Sequence, residues 1–162
     1  LHAHPPTATG FAVAGIDLTQ CVLPEVIVNL GGVPLAPYGT PGGAEIFEPM
    51  KPLLKDYDAV LMANHGAATL GTDVMNAHFK METVEHFARI ALVAHQLSAV
   101  QTLDAGQVDD LRHRFGREAH PSCDLDGSGS GGREDPERER LIREITREVV
   151  RQLVEQSQEA AG

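Results

Sequence analysis

The sequence has no tryptophan, two tyrosines, two cysteines and few cations: Lys+Arg is 13 against 23 Asp+Glu, a net charge of −10. Each scarcity excludes something. A nucleic-acid binder draws its affinity from clustered cations, which are missing here. Cys21 and Cys123 are too few for a disulfide framework and suit a reducing cytoplasm. No uncharged run approaches the ~18 residues that a membrane span needs, and no secretory signal is visible. A cytoplasmic protein with no membrane partner is therefore expected. Its 162 residues make one domain of ordinary size and are too few for two comfortable ones. The first residue is Leu1, not Met, and it stands beside what reads as functional sequence, so a segment upstream is expected.

Composition divides the chain near residue 120. Residues 1–120 hold every Tyr and Phe and all eight His. Residues 121–135 are Gly/Ser-rich and read as a flexible linker. Beyond them the chain is rich in Arg and Glu with a sparse aliphatic stripe.

Strand and helix signals alternate in the first part. Residues 5–15 read as a helix opened by proline and closed by Gly15. The β-branched run 26–35 reads as a strand bulged at Gly31-Gly32, and 44–54 as a helix despite Pro49 and Pro52. Residues 59–63 form a short buried strand running into the turn Asn64-His65-Gly66. Asp73 caps a long helix over 74–100, with Ala77, Met81, Val84, Ala88, Ala91 and His95 near one face. Asp104 and Gln107 make a capping box for a short helix that Gly116 ends. No Gly-rich phosphate loop accompanies this alternation, so the class is α/β or α+β.

The chemistry lies in histidines. His2-Ala3-His4 is an H-x-H pair, and on an extended strand residues i and i+2 point to one side, roughly 7 Å apart. Two imidazoles so placed can reach one metal ion at ~2.0–2.1 Å each. His65 follows a buried strand in a turn where Gly66 permits tight backbone, a common place for catalytic groups. Each feature alone has an ordinary explanation, a chance pair and a satisfied turn histidine. Together, three neutral imidazoles with one position left open suit a catalytic Zn²⁺ better than a closed structural site. His78, Glu82 and His86 share a helical face but spread too widely for one ion, so they read as a solvated or interface face. His95, His113 and His120 read as structural.

Three segments, His2 to Thr9, Val33 to Gly42 and Met62 to Gly66, resemble in order and spacing the class II aldolase/adducin family, its L-fuculose-1-phosphate aldolase branch most of all. The likeness covers about residues 1–118 and the C-terminal half of the family domain. It implies a three-layer α/β/α fold with a mostly antiparallel central sheet, and Zn²⁺ held by His2, His4 and His65. It further implies a homotetramer and retro-aldol cleavage of a deoxyketose 1-phosphate to dihydroxyacetone phosphate and lactaldehyde. The family's catalytic glutamate and phosphate-holding loops lie upstream of Leu1, so this chain alone is not expected to turn over. Leu23 stands about where fuculose-type enzymes place a proton-donating tyrosine. Tyr38 belongs to a turn that other members share and does not take over that role. Alternatives within the family are a sugar-phosphate 4-epimerase or a dehydratase. A non-catalytic, adducin-like assembly module is a further alternative, against which the intact histidine triad counts.

Residues 136–157 pattern as an amphipathic helix. Leu141, Ile142, Ile145, Val149 and Leu153 fall within a sector of roughly 120°, opposite Arg143, Glu144, Arg147, Glu148 and Arg151. About twenty residues of isolated helix are marginal in water, so the stripe wants a partner. A coiled coil or docking on its own domain would supply one. A flexible linker followed by a short terminal amphipathic helix also looks like the encapsulation peptides of bacterial microcompartment enzymes, which implies a shell-protein partner bound by a helix in a groove.

Overall fold

A computed structural model describes residues 1–42 and 44–116. The expected linker 121–135, the helix 136–157 and His120 lie outside the described residues. Within them, four short strands form one sheet in the order β1-β4-β3-β2. The strands are β1 (His2–Ala3), β2 (Leu35–Ala36), β3 (Ala59–Met62) and β4 (Gly66–Thr69). β4 runs antiparallel to both neighbours, pairing His2 with Ala68 and Ala3 with Ala67 on one side, while β2 lies parallel to β3. Four helices accompany the sheet: α1 (Pro6–Ala14), α2 (Pro24–Asn29), α3 (Val74–Gln96) and α4 (Ala105–Phe115). The mixed α/β class is as expected.

Alternation along β3 explains the layering, because successive side chains leave a strand on opposite faces. Ala59 and Leu61 enter a core with Ala8, Phe11 and Ala12 of α1 and Met81, Val84, Phe87 and Ala88 of α3. Val60 and Met62 point the other way, onto Ala36, Met50, Leu53 and Leu54. All four residues of β3 are buried. A separate cluster, Cys21, Ile27 and Val108, joins α2 to α4.

Several boundaries follow local chemistry. Pro5 and Pro6 open α1, and Gly15, at φ 70°, closes it in the left-handed conformation that glycine adopts at no steric cost. Asp73 accepts from the Asn76 N–H at 2.9 Å and caps α3. Asp104 and Gln107 form the expected capping box.

Others differ from expectation. The run 26–35 is no bulged strand. Pro24 presets a helical φ, and Val26 and Ile27 are buried on the six-residue α2. Gly31 and Gly32, both at positive φ, then turn the chain, so that β2 begins only at Leu35. Residues 44–54 form no α-helix either. Short 3₁₀ turns at Ala44–Ile46 and Leu53–Lys55 stand there instead, because Pro49 and Pro52 lack the N–H that a continuous ladder needs. α3 stops at Gln96 rather than 100, and Ser98 has a positive φ just beyond. Among the described residues no cysteine is free.

Candidate metal centre

β1 enters at the sheet edge, and its ladder with β4 carries the H-x-H pair to the turn that bears His65. The Leu1 amino group donates to the Thr69 carbonyl at 2.9 Å, and the Thr69 N–H returns a bond to Leu1 at 2.8 Å. At the other end of the site, Asn64 adopts φ 57°, a left-handed conformation that asparagine tolerates. The turn it makes is tied inward by its own N–H to the Ala12 carbonyl, 3.3 Å, and by the His65 N–H to Met62, 3.0 Å.

The three imidazoles meet. Ring centroids of His2, His4 and His65 lie 4.8, 4.9 and 5.0 Å apart pairwise. One ligand atom from each lies within 4.8 Å of the others. His2 Nδ1 stands 2.8 Å from the Ala67 carbonyl, which can only accept, so Nδ1 carries the proton and Nε2 the lone pair. That Nε2 lies 3.1 Å from His65 Nε2, close to the roughly 3.3 Å that separates two nitrogens bound tetrahedrally to one Zn²⁺ at ~2.0–2.1 Å. A ring whose far N–H rests on a backbone carbonyl is the usual outer support of a metal-ligating histidine. Burial first, and then the neighbouring His2 and His4, hold the His65 pKa below its ordinary value, favouring the neutral form that binds metals. The donor set therefore fits Zn²⁺.

Gly66 is part of the geometry. A Cβ there would lie 2.5 Å from His4 Cδ2 and 2.6 Å from the Ala3 carbonyl oxygen, so only glycine lets β4 pass this close to the H-x-H segment.

The remaining candidates stay apart. His78, Glu82 and His86 are exposed on α3, with His78 Nε2 3.9 Å from Glu82. His95 bonds the Ala91 carbonyl at 2.8 Å, one turn back on its own helix. Leu23 caps the start of α2 and packs against the core, and Tyr38 is 58% exposed just past β2. A cleft of about 640 Å³, lined in part by Asp58, Phe79 and the Asp58-paired Lys80, opens elsewhere, and no histidine lines it. Sequence reasoning did not single out the Ala67 carbonyl, for which no local signal exists. It also missed Glu85, which binds the start of α1. A helix opening on Pro5-Pro6 with no capping side chain of its own was the available hint.

Three imidazoles converging from a strand edge and a β-turn of an α/β domain form a group that could hold a metal ion. The chain belongs to the class II aldolase and adducin family: the model of the class II aldolase and adducin N-terminal domain matches residues 1–92. It is 30% identical over 116 residues to a 3-oxo-tetronate 4-phosphate decarboxylase of Escherichia coli K12, covering 69% of this chain and 54% of that protein. To an L-fuculose phosphate aldolase of Methanococcus maripaludis it is 27% identical over 97 residues, 60% of this chain and 52% of the relative. Among solved structures, an L-fuculose 1-phosphate aldolase superposes with a TM-score of 0.63 at 27% identity, covering 71% of this chain and 54% of the other. The chain spans about half the length of the curated relatives it matches.

Proposed function

We propose that the protein is a Zn²⁺-dependent lyase that breaks a carbon–carbon bond next to a carbonyl in a phosphorylated sugar derivative. The convergence of His2, His4 and His65 on one point carries this reading. These residues would hold the ion, with His2 fixed in the required tautomer by Ala67 and a fourth position left for substrate. When bound, the cation supplies Lewis-acid stabilisation of the charge that develops on the carbonyl oxygen as the bond breaks.

The relatives' names divide between two leaving groups. In retro-aldol cleavage of a deoxyketose 1-phosphate such as L-fuculose 1-phosphate, lactaldehyde departs and dihydroxyacetone phosphate remains. In decarboxylation of a 3-oxo acid phosphate, CO₂ departs. Both leave an electron pair on the carbon beside the carbonyl, so both ask the same of the histidine site. Two observations favour the decarboxylation as a second reading. The decarboxylase relative is the more similar of the two, at 30% against 27% identity. Leu23 also offers no hydroxyl where the aldolase resemblance expects a proton-handling tyrosine, and a departing CO₂ needs none.

Metal analysis of the purified protein by plasma mass spectrometry, beside His65→Ala, tests the site. About one zinc per chain, lost in the variant, is expected. No zinc after reconstitution would favour the non-catalytic assembly module. With zinc present, release of aldehyde or of CO₂ from the two substrate types separates the reactions.

The same proposal includes a homotetramer, checked by light scattering. It also includes recruitment to a microcompartment shell through residues 136–157, which rests on the sequence pattern alone. Ile145→Asp together with Val149→Asp should abolish co-purification with co-expressed shell proteins.

A further inference from the structure

We infer that Glu85 is a positioning residue for the histidine cluster, setting His4 by capping α1 from across the domain; this rests on the metal-site reading above. The first turn of an α-helix has N–H groups without partners inside the helix. In α1 two of these are absent, because Pro5 stands at the N-cap and Pro6 follows it. The Thr9 N–H already bonds the Pro5 carbonyl at 2.8 Å. That leaves the N–H groups of Thr7 and Ala8, and the Glu85 carboxylate accepts both, at 3.0 and 2.9 Å. Glu85 also accepts from Thr7 Oγ1 at 2.8 Å and from Arg89 Nε at 2.9 Å. Its side chain is only 15% exposed.

His4 sits in the gap between two anchors. On one side the β1–β4 ladder ends at the Ala3–Ala67 pair. On the other, α1 begins at Pro6. Unlike His2, His4 has no hydrogen-bond partner of its own among the described residues. Its ring direction is therefore set by the backbone on either side, and Glu85 fixes the downstream side. A carboxylate on α3, 78 residues away in sequence, thus carries the register of that helix into the metal site.

The test compares zinc affinity of the full chain, by competition with a chromogenic chelator, and the d–d absorption of the Co²⁺ form. Glu85→Ala is expected to weaken zinc binding several-fold, by less than the roughly 10- to 100-fold that follows removal of a group bonded directly to a ligand, and to alter the Co²⁺ spectrum. Glu85→Gln should lose less, since its amide oxygen still accepts from the two N–H groups and its NH₂ can donate to Thr7 Oγ1. Two controls lie on the same helix. Exposed Glu82→Gln should bind as the unaltered chain does. So should Val84→Ala, which weakens the core but leaves the bonds from Thr7 and Ala8 to Glu85 in place. If Glu85→Ala does not fold, Glu85→Met decides, since it keeps the bulk and removes both acceptors: a spectrum and affinity equal to the unaltered chain's overturn the inference. Equal zinc affinity in a folded Glu85→Ala, or an equal loss in Val84→Ala, overturns it while the metal site stands. Failure of the unaltered chain to bind zinc removes the metal reading, and the inference with it.

Discussion

The two flanks of the sheet are held differently. On the β1–β4 flank, strand pairing, the Glu85 cap and close passage at Gly66 leave the backbone little choice. On the β2 flank a two-residue strand is followed by turns and 3₁₀ segments, with Tyr38 and Phe47 exposed. The three clustered histidines stand on the first flank. Preorganised ligands need a backbone that cannot relax, and a polar ladder combined with a helix cap supplies that where apolar contact alone would not.

Substitutions that press on each flank break this comparison with unequal force. Gly66→Ala should have the largest effect: its methyl displaces His4 or the Ala3 carbonyl, and zinc binding measured by chelator competition should be lost. Phe87→Ala, in the fully buried layer between α3 and the sheet, should cost about 3–5 kcal/mol in urea unfolding. Met50→Ala anchors the opposite flank and should cost about 2–3 kcal/mol, with zinc affinity unchanged.

Acid sharpens the comparison further. Burial raises the pKa of Glu85, but the bonds from Ala8 and Thr7, aided by Arg89, outweigh it and hold it below its ordinary value of 4.5. A carboxylate depressed in the folded state adds stability above its unfolded pKa and loses it as pH falls through the folded one. Unfolding free energy should therefore decline from about pH 4.5 downward, and Glu85→Gln should flatten that decline. The smallest effect is expected for Lys51→Ala, which removes the exposed ion pair with Glu48. It should change stability by less than about 0.5 kcal/mol and zinc affinity not at all.

Legibility followed the same division. The proline opening and glycine closing of α1, the Asp73 and Asp104 caps, β3 and the turn at His65 could all be read locally, since each rests on residues adjacent in sequence. The expected strand over 26–35 failed because β-branched residues fill a buried helix face as readily as a strand, and Pro24 decided between them. The helix expected over 44–54 failed where two prolines outweighed apolar spacing. For the site, H-x-H spacing placed His2 and His4 together, and the rings do meet 4.8 Å apart. The arrival of His65 beside them depended on β1 pairing with β4 across more than sixty residues, which no local pattern encodes.

Side-chain chemistry and near-neighbour spacing thus settled which groups are available: three imidazoles and the helix ends. Packing between distant segments decided the rest. It selected the His2 tautomer through Ala67, required glycine at 66 and lent α1 a cap from α3. The reason is physical. Bonds between neighbours in the chain are nearly specified by composition, whereas a contact between distant segments exists only once the whole core has closed around it.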